Sequence, residues 1–233
     1  ACLVSASLWG LPFGASPARA DDHGPGPATI TVTGEGMVEA VPDLATVSLG
    51  VTTEGATASG AMEANSQALQ KVMARIEAAG IEARDVQTSN LSLNPNWQST
   101  DGTTSRIVGY VASNILTVRV RDLDRLGGVL DAVIADGANT LNGISFGLSE
   151  PDPALDRARV QAVTEARARA ELLAGAAGAK LGRILSISES GPSMPQPLPM
   201  YRMEAAMADA VPVAAGEVGV TAYVTLTFEI VQP

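Results

Sequence analysis

The C-terminal end of the chain alternates without a break, with Val218, Val220, Ala222, Val224, Leu226, Phe228 and Ile230 set between Gly219, Thr221, Tyr223, Thr225, Thr227 and Glu229. A period of two predicts one long, half-buried strand that turns Thr221, Thr225 and Thr227 toward solvent or a neighbouring subunit. At ~3.4 Å per residue it runs roughly 45 Å, well beyond the usual strand. A second long strand is predicted over 108–120, with Tyr110, Ala112, Leu116, Val118 and Val120 on one face. Further alternating stretches predict strands at 29–34, 44–53, 86–93, 141–148 and 184–188.

Three other stretches switch to helical spacing. Met62, Leu69, Val72, Met73 and Ile76 share one face of the first, and Leu123, Leu126, Leu130, Val133 and Ile134 one face of the second. The third is predicted to begin near Pro153 with Asp152 as its N-cap. Its stripe is Leu155, Ala158, Ala162, Ala166, Ala170, Leu173 and Ala177, narrow enough for close packing on a sheet. Each helix runs into small residues and a glycine, Gly80, Gly137 or Gly178, which reads as a stop at the C′ position. The fold expected is α+β: a largely antiparallel sheet with long strands and three helices on one face, in two similar strand–helix–strand halves.

Two segments stand outside this pattern. Residues 190–216 hold Pro192, Pro195, Pro197, Pro199 and Pro212 together with Met194, Met200, Met203 and Met207, and read as a long loop before the last strand. At the other end, 2–13 is an almost uncharged apolar run followed by Ala18-x-Ala20, the form of a secretory signal cleaved after Ala20, although the basic start and initiator Met of such a signal are missing. The organisation expected is a signal over 1–20, a flexible stretch over 21–28 and one domain over 29–233.

Composition narrows the chemistry. Hydrophobic residues make up 46% of the chain but aromatics only 3%, so the core is built from Ala, Val, Leu and Ile. Removal of 1–20 deletes the single cysteine, Cys2, and takes Lys and Arg from 15 to 14 against 25 Asp and Glu, a net charge of −11. Such a charge argues against nucleic acid and against a polybasic membrane patch. The single histidine, His23, lies two residues after the cleavage site, where a flexible terminus cannot hold catalytic geometry. Neither a metal nor another cofactor is called for by this set of side chains.

Gly34-Glu35-Gly36 looks like the opening of a phosphate loop, but no third Gly or Lys-Ser/Thr follows, and a hairpin turn is expected instead. Glu35, Glu39, Asp43 and Glu54 have nothing in the sequence to converge them on one site. The charges from Asp156 to Glu171 read as the solvated side of the third helix. Met194, Met200, Met203 and Met207 could pack as flexible gap-fillers at an interface, absorb oxidant as sulfoxides, or ligate Cu(I).

Thr31-Val32-Thr33-Gly34-Glu35-Gly36, Val41-Pro42-Asp43-Leu44-Ala45, Leu116 through Asp124, Gly143-Ile144-Ser145-Phe146-Gly147-Leu148 and Ala170-Glu171-Leu172-Leu173-Ala174 occur in that order. In these stretches the chain resembles the bacterial SIMPL-domain family, which includes oxidative-stress-defence and periplasmic immunogenic proteins. The resemblance implies a periplasmic or outer-membrane-associated homo-oligomer of ring or barrel form, and supplies no catalytic residues. The function expected is therefore a non-enzymatic, self-assembling envelope protein contributing to oxidative-stress defence. An adaptor for another envelope protein is the alternative, and an enzyme working with carboxylates alone a third.

Overall fold

The computed structural model describes residues 28–100, 104–191, 196–197 and 213–232. The signal-like segment, Cys2, His23 and Met194, Met200, Met203 and Met207 lie outside the described residues. In chain order the elements are β1 (Thr29–Ala40), β2 (Leu44–Gly55), α1 (Ala58–Ala78), β3 (Val86–Thr100), β4 (Thr104–Val120), α2 (Leu126–Ala135), β5 (Thr140–Gly147), α3 (Asp152–Ala176), β6 (Lys180–Ser190), β7 (Gln196–Pro197) and β8 (Val218–Val231). No helix among the described residues is long and apolar enough to cross a membrane.

The fold is α+β, and its strands form two antiparallel sheets where the alternation suggested one. One sheet has the order β1-β8-β6, with β7 also on β8; the other has the order β3-β4-β2-β5. The expected similarity of halves is visible in the topology. In one half β2, α1, β3 and β4 follow in sequence and β4 enters between β2 and β3. In the other, α3, β6 and β8 repeat the path, with β8 between β1 and β6. The second βαββ unit is interrupted, because everything from β2 to β5 is inserted between β1 and α3. Alternation along each strand cannot report which sheet a strand joins, so the division was invisible in the sequence.

Each sheet carries helices on one face only. Ala45, Val47, Leu49 and Val51 of β2 and Leu116, Val118 and Val120 of β4 pack under Leu69, Val72 and Ile76 of α1 and Leu126, Val129, Leu130 and Val133 of α2. Buried Asn65 of α1 is held there because its amide donates to the carbonyls of Val51 (2.8 Å) and Ala112 (3.1 Å). Two residues expected on buried helix faces are turned out: Met73 is 47% exposed and Ile134 50%. At about 100° per residue, each falls one step beyond the face that its neighbours Val72 and Val133 define.

α3 packs more closely than the others. Ala158, Ala162, Ala166, Ala170 and Ala174 are all buried, whereas Leu173 and Ala177 are exposed, because a strict step of four precesses ~40° at a time around the helix and carries the stripe to Ala174. Asp152 is the first helical residue rather than a side-chain cap. Beneath the stripe lies the Gly-x-Gly of β1, which is mid-strand and not the expected turn. A Cβ on Gly34 would stand 2.0 Å from the Ala162 carbonyl oxygen, and one on Gly36 1.9 Å from that of Ala158. Glycine is required at both positions because the helix backbone rests directly on the strand.

All three predicted C′ glycines have positive φ: 86° at Gly80, 114° at Gly137 and 72° at Gly178. The residue after each donates back to the helix, Ile81 to Ile76, Ala138 to Val133 and Ala179 to Ala174, which closes the last turn in the same way three times. Several strands run past their expected limits: β1 continues to Ala40, β3 to Thr100, and β4 begins at Thr104.

Candidate interaction surface

Several acidic groups of the described residues are engaged by neighbouring side chains. No cluster of three or more His, Cys, Asp or Glu able to hold a metal occurs among the described residues. Glu35 and Asp43 have separate structural partners. The Tyr223 hydroxyl donates to Glu35 at 3.2 Å, and the negative charge of Glu35 raises the Tyr223 pKa. The Asp43 carboxylate receives Ser149 and is held below its usual range chiefly by that hydroxyl. Glu77 and Glu82 line one apolar cleft with Met73, Ile76, Ile81 and Val86, but Glu82 is already paired with Arg84 at 2.9 Å. Asp85, the one buried acid of the described residues, is bonded through Oδ1 to Arg121 at 2.9 Å, and this guanidinium holds its carboxyl below the usual range.

The helix-free face of the first sheet is a hydroxyl grid. Thr225 bonds Thr33 at 2.9 Å and Thr227 bonds Thr31 at 3.0 Å, and Ser188 and Ser186 stand opposite the same two residues on β6. Thr221 lies on the same face opposite Met37. At Thr225 and Thr227 the backbone of β8 is paired on both sides, by β1 and β6, so there β8 offers a neighbour side chains only.

Free backbone edges are found elsewhere, and the four edge strands differ. On β1, Glu165 of α3 accepts the N–H of Glu35 at 2.7 Å, Arg169 donates to the Thr33 carbonyl at 2.5 Å, and the two side chains bond each other. The charged side of α3 thus blocks one edge instead of serving only as a solvated surface. β5 is eight residues long and irregular opposite Ser48 and Leu49. β6 bulges twice, between Leu181 and Ile184 and between Ile184 and Ser186.

β3 is different. Like β5 it includes no charge, but its 15 residues, VQTSNLSLNPNWQST, make it nearly twice as long, and it pairs regularly with β4 from Asn90 to Asn96. The β3–β4 hairpin also outruns β2, whose last residue, Gly55, pairs with Tyr110, so that the hairpin tip projects as a two-stranded ribbon. Along this edge and ribbon Leu91, Leu93, Trp97, Ile107 and Val108 are exposed, Leu93 at 40% and Trp97 at 58%. The expected strand over 86–93 stops short of Asn94, Pro95 and Asn96, whereas β3 runs through them to Thr100. The available signal was the absence of charge from Val86 to Thr100.

Comparison with known proteins gives the same placement. The family model SIMPL, described as a protein of unknown function (DUF541), matches residues 30–228. The 26 kDa periplasmic immunogenic protein of Brucella melitensis is 40% identical over 213 residues, 88% of this chain and 85% of the relative. The uncharacterized protein YggE of Escherichia coli K12 is 33% identical over 200 residues, 86% of this chain and 79% of the relative. YggE of Edwardsiella ictaluri is 30% identical over 204 residues, covering 88% and 84%. None of these three is named as an enzyme. With all but the outermost residues of both βαββ units inside the family match, the chain belongs to the SIMPL family.

Proposed function

We propose that the protein is a self-assembling, non-enzymatic periplasmic protein of the bacterial envelope whose copies join through sheet edges. The observation that carries this reading is the uncharged edge β3 and its projecting ribbon, with Leu91, Leu93, Trp97, Ile107 and Val108 exposed. An unblocked, uncharged edge with exposed leucines on an isolated subunit is a template for another strand, and natural proteins protect such edges unless they use them. The β1 edge of the same molecule is blocked by Glu165 and Arg169. The periplasmic location follows the name of the Brucella relative and the signal-like segment. A part in oxidative-stress defence follows the family resemblance, with Met194, Met200, Met203 and Met207 as the oxidisable side chains available for it.

Size-exclusion chromatography with light scattering tests the reading. A discrete mass that is a multiple of the single chain supports self-assembly. A monomer at micromolar concentration overturns it in favour of an adaptor whose edge and ribbon receive a different envelope protein.

A further inference from the structure

We propose that β3 pairs antiparallel with β3 of a second copy about a two-fold axis at Leu93, which joins two four-stranded sheets into one of eight. This rests on the self-assembly reading and specifies its contact. The partner follows from three features. A chain of net charge −10 is repelled by its own copies, and approach is least opposed at an edge without charge; β3 has none over its 15 residues. Of the other two unblocked edges, β5 is also uncharged but only eight residues long and irregular opposite Ser48 and Leu49, and β6 carries Lys180, Arg183 and Glu189 and is broken by two bulges, which limit regular pairing. A strand that meets its own copy needs no second complementary surface, as in most two-fold dimers.

The register follows from the regular part of the strand. Between the bulge at Ser89 and the irregularity after Asn96, β3 is straight from Asn90 to Asn96, and the centre of that run is Leu93. A two-fold axis there sets Leu93 against Leu93, Leu91 against Pro95 and Ser92 against Asn94. Because the axis is perpendicular to the sheet, the same face of each copy points the same way. Leu91 and Leu93 from both copies then form one apolar patch beside the α1 layers, and their exposed side chains are covered. Pro95 has no N–H, so the edge bonds are strongest at the centre of the contact.

The test uses opposite charges at one position. Leu93→Lys and Leu93→Glu, each alone, place like charges together across the axis and should weaken self-association at least about tenfold. Mixing the two variants in equal amounts should restore it. In a Cys2→Ser background, Leu93→Cys should give a covalent dimer on oxidation, since directly opposed strand residues are within disulfide reach. Circular dichroism melts identify any variant that has failed to fold. A wild-type oligomer whose mass Leu93→Lys leaves unchanged, or a Lys and Glu mixture that stays dissociated, overturns this contact and leaves self-assembly standing. A monomeric wild type removes both.

Discussion

Ser149 donates its backbone N–H and its hydroxyl to the two carboxylate oxygens of Asp43, each at 2.6 Å. Asp43 in turn donates its own N–H to the Gly147 carbonyl at 3.1 Å. These bonds tie the connection between β1 and β2 to the connection between β5 and α3, the two places where the chain passes between the halves. Leu148 packs into the core under α3 nearby, and Val213, ahead of β8, packs on the core under α1. The halves are thus joined by crossing segments as well as by the clamp.

Replacing the clamp tests its weight. Asp43→Ala should lower stability by about 1 kcal/mol, a modest figure because the carboxylate is exposed to solvent. Acid should expose the same bonds. The carboxyls of Asp43, Asp85 and Asp136 are held below their usual range by the Ser149 hydroxyl, the Arg121 guanidinium and the Arg75 guanidinium respectively. A depressed folded-state pKa gives stability that is fully present above the unfolded value near ~4 and is lost as pH falls through the folded value. Urea midpoints between pH 6 and 2 should therefore drop in acid, and less steeply in Asp43→Asn. An equal slope in that variant would show that Asp43 carries none of the effect.

Gly36 and Gly128 should respond to alanine with opposite signs. At Gly36 the added carbon meets the Ala158 carbonyl oxygen at 1.9 Å, so α3 must lift off β1, at roughly 1–3 kcal/mol or more. At Gly128, an exposed position inside α2, nothing lies within 4 Å, and alanine should stabilise by about 0.5–1 kcal/mol. Denaturant melts of the two variants check the contrast. A neutral Gly36→Ala would mean that the close approach of helix and strand is not required.

The methionines distinguish packing from oxidant capture. Met73, expected on a buried face, is 47% exposed and serves as the exposed reference, with Met62 as the half-buried one. Packing at an interface predicts that Met194, Met200, Met203 and Met207 oxidise more slowly than Met73 in the assembled protein under peroxide or hypochlorous acid. Peptide mass spectrometry reads the order. Oxidation of the four ahead of Met73 would instead support a sacrificial sink.

Export should leave Asp21 as the first residue, because Ala18 and Ala20 supply the small side chains a signal peptidase requires. The intact mass of periplasmic material checks this. A product that retains Trp9 would contradict it.

Local rules determined much of the molecule. The three glycine stops, the alanine stripe from Ala158 to Ala170 and the alternation from Val218 to Phe228 depend on backbone conformation and periodicity within one segment, and each is legible in the residues themselves. Tertiary structure alone decided which strands share a sheet, because period two reports that a strand has a buried face and not which strand lies beside it. It also decided the meaning of Gly34 and Gly36: a Gly-x-Gly resembles a turn until a helix 130 residues away rests on it, Glu165 bonding the N–H of Glu35 between them. The same holds for edges. Uncharged β3 and charge-bearing β1 both read as ordinary alternating strands, and only the arrival of Arg169 at the Thr33 carbonyl separates a blocked edge from an open one. Exposure of a backbone edge is a property of what lies beside the strand in space, and no window of sequence contains it.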